Sequence, residues 1–372
     1  MLIGIDASRA AKAVRTGTEA YAFYLIRHLV PLLVENGHQL RLYYNGLPEV
    51  SLFDEPFDQR NRVGHMIIPF PRLWTHVRLA FELAQSPPDL FFTPAHVIPF
   101  SWMGKSVATI HDLGYEHFPE AHTAQQVAQL RWSTRHNARR SQVILADSKA
   151  TQNDLIQRYG TPTAKIRVVY PGLEVPLQWK ETPPKPNDIT EKPYLLFLST
   201  LQPRKNLSGI ITAFQSIAAQ IPHDLVLAGR SGWHADQIFA QIEQLPAKIR
   251  ERVMLPGYID EERKHQLLKH ADIFLYPSLY EGFGFPLLEA NAAGLPVITA
   301  ASSSLLELAE TGGAITVDPH ESQQIAEAIL MILRDPAKRA DLIRRGYENI
   351  RRFRWEAAAQ QTADIFETIG NP

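Results

Sequence analysis

The fifteen residues YPSLYEGFGFPLLEA, at positions 276–290, run from an apolar segment through a glycine-rich turn into a helical pattern. Pro286 stands near the first position of the predicted helix, where a missing N–H is harmless. We therefore expect the turn to present backbone N–H groups at a helix N-terminus, which is an anion-binding geometry. Glu281 precedes this turn and Glu289 lies about one turn into the helix. Two acids around one anion site suit a ligand with a central phosphate and a sugar at each end.

Short β-prone segments alternate with helical patterns along most of the chain, which is typical of βαβ units with a parallel sheet. In the first half, candidate strands lie at Leu2–Ile5, Gln39–Tyr44, His65–Ile68, Leu90–Thr93, Ser106–Ile110, Gln142–Ala146 and Arg167–Tyr170. In the second half, they lie at Tyr194–Ser199, Leu225–Ala228, Val253–Leu255, Ile273–Tyr276, Val297–Thr299 and Ala314–Val317. The pattern predicts an α/β protein with two doubly wound domains.

A proline-dense segment separates the two halves. Proline cannot donate to a β-ladder or continue a helix, so we predict a linker at 176–193. The first domain is then predicted at 1–175 and the second at 194–354. Because ligands bind beyond the carboxyl ends of parallel strands, we expect the functional site in a cleft between the domains.

Composition excludes several other classes of protein. With 372 residues, 45% hydrophobic and 21% charged, the chain has the composition of an ordinary globular protein of about two domains. Its 38 basic and 39 acidic residues leave a formal charge of -1, which argues against a nucleic-acid partner. The absence of cysteine excludes disulfides and thiolate metal sites. Without a signal-like N-terminus or an apolar stretch that could cross a bilayer, we expect a cytoplasmic protein.

The combined pattern resembles the retaining glycosyltransferases of family four, whose motif has two glutamates separated by seven residues. Other segments agree in order: TGT at 16–18, HDL at 111–113, LQPRKN at 201–206, LAGR at 227–230 and LPGY at 255–258. The resemblance covers essentially the whole chain. It implies the GT-B fold, with two Rossmann-like domains facing across a cleft, the acceptor mainly in the first and the donor mainly in the second. It also implies that a C-terminal helix at 355–372 completes the first domain, with Trp355 as its packing anchor.

The resemblance assigns donor-site roles to several residues. Glu281 resembles the acid that binds the hydroxyls of the transferred sugar, together with the N–H groups of Gly282, Phe283, Gly284 and Phe285. Glu289 resembles the acid that holds the nucleotide ribose. Arg204 and Lys205 resemble the basic pair that neutralises the donor diphosphate. Many relatives have a further arginine directly after the preceding strand, where this chain has Ser199 and Thr200, so Arg204 is expected to do that work alone.

Four further residues have weaker signals. His111 resembles the first-domain histidine near the transferred sugar, although a lone histidine is also often a satisfied core residue. Gly17 resembles the glycine whose loop approaches the diphosphate, or it is only a turn glycine. Gly257 and Tyr258 are either base-contacting or ordinary loop residues.

The family resemblance also implies the chemistry. The chain is expected to transfer a hexosyl unit from a nucleotide sugar to an acceptor hydroxyl, with retention, because the leaving phosphate deprotonates the acceptor on the same face. A covalent carboxylate intermediate is the alternative. No two aspartates lie two positions apart, so the metal-binding pair of the other main nucleotide-sugar fold is absent and no metal or other cofactor is expected.

The form of the segments at 203–206 and 229–233 is most similar to bacterial mannosyl- and glucosyltransferases of polysaccharide or glycoconjugate assembly. GDP-mannose is therefore the first expected donor and UDP-glucose the second, and the expected acceptor is a saccharide or a lipid-linked one. The alternatives are a sugar-nucleotide epimerase or hydrolase of the same fold and a catalytically silent nucleotide-binding subunit. A dinucleotide site is disfavoured, because Leu287 replaces the third glycine of that motif.

Two patches of basic and aromatic residues each have two possible interpretations. One consists of Arg131, Arg135 and Arg139 on one helical face, with Trp132 and Arg140 nearby. The other consists of Arg72, Trp74, His76 and Arg78. Such stripes are usually solvated faces. The alternative is contact with an anionic lipid surface, at the inner face of the plasma membrane, or with a lipid-diphosphate acceptor.

Overall fold

The computed structural model describes residues 1–15, 17–53, 61–176, 179, 181–186 and 189–370. Thr16 of the TGT segment, five positions of the predicted linker and the last two residues of the predicted C-terminal helix lie outside these ranges. The chain divides into two compact units: Met1–Gly172 with Phe353–Pro372, and Leu173–Arg352.

The first unit is built on a sheet of seven parallel strands in the order β3-β2-β1-β4-β5-β6-β7. The strands are β1 Leu2–Asp6, β2 Gln39–Tyr44, β3 Val63–Ile67, β4 Leu90–Thr93, β5 Lys105–Ile110, β6 Val143–Ala146 and β7 Ile166–Val168. Ile3, Phe91 and Leu145 are fully buried, as expected of parallel strands with both faces covered.

The helices of the first unit up to residue 172 are α1 Gly17–Glu35, α2 Ala80–Gln85, α3 Gly114–His117, α4 Ala124–Arg140 and α5 Lys149–Tyr159. Local sequence explains the bounds of the longer ones. Thr123 and Gln126 form a capping box at the start of α4, which satisfies N–H groups that have no partner inside the helix. Ser148 caps α5, which ends at Gly160 with a φ of +61°.

The second unit has six parallel strands in the order β10-β9-β8-β11-β12-β13. They are β8 Tyr194–Leu198, β9 Asp224–Ala228, β10 Val253–Gly257, β11 Ile273–Tyr276, β12 Val297–Ala300 and β13 Ala314–Val317. The helices are α6 Leu207–Ile217, α7 Ala235–Glu243, α8 Ala247–Arg250, α9 Glu261–His270, α10 Phe285–Ala292, α11 Ser303–Leu308, α12 Ser322–Arg334 and α13 Pro336–Ile350. Every predicted strand is present in one of the two sheets, with ends that differ by at most two residues.

Each sheet reverses its strand order at one point, which creates a crevice between two loops. The reversal lies between β1 and β4 in the first unit and between β8 and β11 in the second. In open parallel sheets ligands bind at this position, outside the carboxyl ends of the strands. A ligand site in the second unit is therefore expected between the loops that follow β8 and β11.

The segment predicted as a linker, 176–193, packs on the second unit in its described part. Trp179 is buried and stacks on His265 with ring centroids 5.3 Å apart. Thr190 donates a hydrogen bond to Asp224 at 2.6 Å. The boundary between the units accordingly falls after Gly172, three residues before the predicted end of the first domain. Prolines exclude regular structure here, but they do not exclude tertiary packing.

The C-terminal helix α14, Trp355–Gly370, groups with the first unit. Trp355 is buried, and its ring lies 5.8 Å from that of Tyr21 and 5.7 Å from that of Tyr24, both on α1. At the other end of α14, His38 Nε2 and Glu367 Oε1 are in hydrogen-bond contact at 2.5 Å. Among the helices in the described residues, none is both long and apolar enough to span a membrane.

Replacing Trp355 by alanine is expected to lower the free energy of unfolding of the first unit by about 3–5 kcal/mol, because it leaves a cavity against α1. Urea unfolding followed by far-UV circular dichroism measures this difference. Trp233→Ala is the control, since that tryptophan is 37% exposed. Equal midpoints for the Trp355 variant and the wild type would contradict an anchoring role.

Candidate functional site

The loop after β8 is tied to the loop after β11 by Asn206. This residue has a left-handed backbone, with a φ of +59°, and its side chain caps α6 by accepting a hydrogen bond from the Gly209 N–H. The same side chain donates to the carbonyls of Pro277 at 3.1 Å and Pro319 at 2.6 Å. The basic residues that precede Asn206 are thereby held over the crevice between β8 and β11.

Arg204 and Lys205 meet Glu281 at this crevice. The Lys205 ammonium donates to Glu281 Oε1 at 2.6 Å and to the Tyr276 hydroxyl at 3.0 Å. The Arg204 guanidinium donates to Glu281 Oε2 at 3.3 Å and to the Tyr280 carbonyl at 2.8 Å. We call Arg204, Lys205, Glu281 and Tyr276 the Glu281 cluster. It holds two cations and one carboxylate, so its side chains carry a net charge of about +1.

Burial strengthens the electrostatic interactions within the Glu281 cluster. Lys205 and Glu281 are each only 6% exposed, so neither charge is solvated at the surface. Burial by itself raises the pKa of the Glu281 carboxyl, but the charges of Lys205 and Arg204 outweigh it and lower that pKa to about 2. Burial also raises the pKa of Tyr276 well above its ordinary value, so its hydroxyl stays neutral. At neutral pH the Glu281 carboxyl is therefore ionised and the Tyr276 hydroxyl is protonated.

The turn that follows Glu281 is held by the start of α11. The Ser303 hydroxyl accepts from the Glu281 N–H at 3.1 Å, and the Ser304 hydroxyl donates to the carbonyls of Glu281 at 2.9 Å and Phe283 at 2.5 Å. Gly284 has a φ of +123°, and a Cβ there would lie 2.8 Å from the Leu305 side chain. Glycine is required at this point, and Phe285 then begins α10.

Glu289 lies on α10 and is held by Lys264 of α9. The Lys264 ammonium lies 2.8 Å from Glu289 Oε1 and 2.7 Å from Glu261 Oε2. Burial by itself lowers the pKa of Lys264, but the two carboxylates outweigh it and raise that pKa. The buried Trp179 ring lies 5.7 Å from the same ammonium. One oxygen of Glu289 is thus fixed by a cation in a partly buried setting.

Gly257 and Tyr258 stand at the carboxyl end of β10, on the same edge of the sheet as the Glu281 cluster. Gly257 has a φ of +74°, with no atom within 4 Å of the position that a Cβ would take. Tyr258 is 62% exposed, and the Arg230 guanidinium lies 4.3 Å from the centre of its ring. The Tyr258 ring and the Arg230 guanidinium form an exposed planar surface on which a ligand can stack.

In the first unit, His111 lies at the carboxyl end of β5 and is paired with Asp147 at the end of β6. His111 Nδ1 lies 2.7 Å from Asp147 Oδ2. Burial by itself lowers the pKa of His111, but the charge and hydrogen bond of Asp147 outweigh it and raise that pKa. The Tyr21 ring, on the helix that Gly17 begins, meets the imidazole edge-on at 4.7 Å. A Cβ at Gly17 would meet no atom within 4 Å.

Several partners of these residues are not indicated by the sequence motifs. Asp147 directly follows a predicted strand, and a polar residue at that position is a usable signal. Lys264 stands in a run of charged residues, EERKH, that is typical of a solvent-exposed helix, so its burial against Glu289 has no local signal. Ser303 and Ser304 are brought to the turn only by the pairing of β11 with β12.

Replacing Glu281 by glutamine is expected to lower the free energy of unfolding of the second unit by about 3 kcal/mol at pH 7, because it leaves two cations without their counter-charge. The folded-state pKa of about 2 lies below the ordinary value of 4.5, so the stabilisation is present above about pH 4.5 and is lost as the pH falls towards 2. Urea unfolding across this pH range should show the two proteins converging in acid.

The control for this experiment is Glu251→Gln, which removes an exposed carboxylate and should change stability by no more than about 0.5 kcal/mol. A constant difference between wild type and the Glu281 variant at every pH would show that the cations do not set the ionisation of Glu281.

Two family models match the chain, one for each unit. The model described as Glycosyltransferase Family 4 matches residues 15–175, and the model described as Glycosyl transferases group 1 matches residues 180–349. Together they span nearly all of the chain.

Individual proteins are similar over the full length. The O-antigen chain mannosyltransferase B of Escherichia coli is 26% identical, over 98% of this chain and 99% of that protein. Sucrose-phosphate synthase from Thermosynechococcus elongatus has a similar structure, with a TM-score of 0.72, 19% identity and 99% of both chains covered. Anabaena HepE, solved in complex with UDP-glucose, has a TM-score of 0.70 and 20% identity, also over 99% of both chains. With both family models matched in order, the chain belongs to the family-four glycosyltransferases and has the GT-B fold.

Proposed function

We propose that this glycosyltransferase moves a mannosyl unit from GDP-mannose to an acceptor hydroxyl, with retention of configuration and without a metal ion. The observation that carries the proposal is the Glu281 cluster, where the buried Lys205 and the partly buried Arg204 both contact the buried Glu281 carboxylate at the crevice of the second sheet. The mannosyl donor is supported by the name of the full-length Escherichia coli relative. UDP-glucose is the second candidate, supported by the ligand named for Anabaena HepE.

The excess positive charge of the cluster suits a diphosphate. When the bond between the sugar and the diphosphate breaks, negative charge grows on the leaving phosphate, and cations fixed in advance stabilise it most effectively. Arg204 offers a planar fork to phosphate oxygens, and Lys205 a point charge. In this proposal the two side chains take the place of a divalent ion.

Glu281 and Glu289 would then bind hydroxyl groups. A carboxylate has about four acceptor positions, so Glu281 can accept from sugar hydroxyls while it pairs with the two cations. Glu289 would accept from the ribose hydroxyls through the oxygen that Lys264 does not hold. Tyr258 and Arg230 offer a stacking surface of the kind that suits a nucleobase. Each group lies on a loop at the carboxyl edge of one sheet or, for Glu289, on the helix that follows such a loop.

The proposed bond changes need no additional base. The acceptor oxygen bonds to the anomeric carbon, the bond from that carbon to the phosphate oxygen breaks, and the leaving phosphate takes the acceptor proton on the same face. In the first unit, we propose that His111 contacts the transferred sugar and that Asp147 fixes its tautomer. A glycosyl-enzyme trapped by rapid-quench mass spectrometry, or an inverted product by proton NMR, would contradict this mechanism.

The proposed biological setting is polysaccharide or glycoconjugate assembly on the cytoplasmic side of the membrane, with a saccharide or lipid-linked acceptor. The support is the name of the Escherichia coli relative, an O-antigen chain mannosyltransferase that matches over its full length.

Nucleotide binding provides the first test. GDP and GDP-mannose are expected to stabilise the protein more than UDP and UDP-glucose, with about 2.7 kcal/mol at a hundredfold excess over the dissociation constant. Thermal unfolding with each nucleotide, with and without a chelator, measures this. Stronger stabilisation by uridine nucleotides would indicate UDP-glucose as the donor in place of GDP-mannose. Stabilisation that is abolished by the chelator would contradict the metal-free proposal.

Replacing Lys205 by methionine is expected to lower kcat by about 10²–10³-fold, because the charge that stabilises the leaving phosphate is removed. The control is Lys248→Met, at an exposed position of the second unit. The assay measures hexose transfer from GDP-mannose to a saccharide acceptor, and circular dichroism confirms that the variant folds. An unchanged kcat in the Lys205 variant would contradict the proposed role of Lys205 in stabilising the leaving phosphate. Free mannose or an isomerised donor without any acceptor would instead support a hydrolase or an epimerase.

A further inference from the structure

An open groove of about 940 Å³ runs along α4 in the first unit. Its lining consists of small or apolar, aromatic and basic residues, among them Phe100, Arg131, Trp132, Arg135, His136 and Arg139. These lining residues include three arginines and no aspartate or glutamate. The groove is therefore a positively charged surface on a chain whose overall charge is -1.

Two of the three arginines carry the net charge. Arg131 is neutralised by Glu116, whose Oε2 lies 2.8 Å from its Nη2. Arg135 lies 5.5 Å from the centre of the Tyr159 ring, and Arg139 is exposed. Burial lowers the pKa of His136, so its imidazole contributes an uncharged ring at neutral pH. Arg135 and Arg139 thus give the groove a charge of about +2.

Aromatic rings form a continuous floor beside these arginines. Trp132 stacks on His136 with centroids 5.2 Å apart, and Phe100 stacks on the same imidazole at 5.9 Å. His76 meets Trp132 edge-on at 5.5 Å. The Phe100 N–H donates to His76 Nδ1 at 3.3 Å, so the loop after β4 and the helical turn Thr75–Leu79, which directly precedes α2, belong to one surface.

Large apolar side chains stand out from this surface. Phe100 is 68% exposed and Met103 is 77% exposed on the loop after β4. Leu73, Val77 and Phe81, around the turn before α2, are also exposed. Scattered exposed apolar residues need no explanation, but several on adjoining loops beside a cationic groove indicate an interaction site. We call the groove with Leu73, Val77, Phe81 and Met103 the α4 surface.

We propose that the α4 surface binds an anionic lipid bilayer, with Arg135 and Arg139 on the lipid phosphates and the apolar side chains in the headgroup boundary. The charge of the groove is complementary to such a surface, and exposed aromatic and aliphatic side chains gain free energy at that boundary. A solvated face would leave the exposed Phe100 and Met103 unexplained. A site for a small soluble anion would need only the cations. The inference goes beyond the proposed transfer reaction and does not depend on it.

Co-sedimentation with lipid vesicles tests the proposal on the full chain. We expect binding to vesicles that contain phosphatidylglycerol and at least about tenfold weaker binding to phosphatidylcholine alone, with further weakening at high salt. Arg135→Gln with Arg139→Gln, and separately Phe100→Ser with Met103→Ser, should each reduce binding by about tenfold or more. The assay contains neither donor nor acceptor, so its failure would leave the proposed transfer reaction intact.

The matched control removes the same two charges from the second unit, through Lys248→Gln with Arg351→Gln, both at exposed positions. It should bind vesicles as the wild type does. Equal loss in the control would show a general charge effect and overturn the proposal. Loss in the arginine variant but not in the apolar variant, with inorganic diphosphate competing against vesicles, would indicate a small-anion site instead. Thermal unfolding of each variant confirms that it is folded.

Discussion

The second unit depends on the buried contact between Lys205 and Glu281, at 2.6 Å. Neither charge can be buried alone, because the loss of hydration would cost far more than the surrounding packing supplies. Each one comes from the loop after a different strand, β8 for Lys205 and β11 for Glu281. The two loops must therefore close on each other for either side chain to be buried, and Asn206 reinforces the closure by binding the carbonyl of Pro277.

The contact lies at this position because of the order of the strands. In a sheet of order β10-β9-β8-β11-β12-β13, the connections on either side of β8 and β11 leave in opposite directions along the sheet, and the gap between their loops is open. The cations and the carboxylate line this gap. Glu289 lies further along the connection that carries Glu281, and Tyr258 lies on the connection after β10. In the first unit the reversal lies between β1 and β4, whereas His111 and Asp147 stand at the carboxyl ends of the adjacent strands β5 and β6. What the two units share is the carboxyl edge of the parallel sheet, where these ionisable side chains lie.

Charge is distributed unevenly over a chain that is almost neutral. The Glu281 cluster holds an excess cation where water is largely excluded, which suits a compact anion such as a diphosphate. The α4 surface holds its cations in an open groove beside exposed aromatic and aliphatic side chains, which suits an extended anionic surface. The two positively charged regions thus differ in burial, and burial decides whether a compact or an extended anion suits each one.

The sequence by itself determined the elements and indicated a candidate site. Alternating apolar segments located the strands, and the glycine turn with Glu281 and the Arg204–Lys205 pair indicated residues that the structure brings together, because these signals are local in the chain. Only the tertiary structure decided how charges are paired. Lys264 reaches Glu289, Asp147 reaches His111, and the proline-dense segment packs through Trp179 on His265. These partners are far apart along the chain, so no periodicity or spacing indicates them, and burial within the folded sheet layers is what gives each contact its strength.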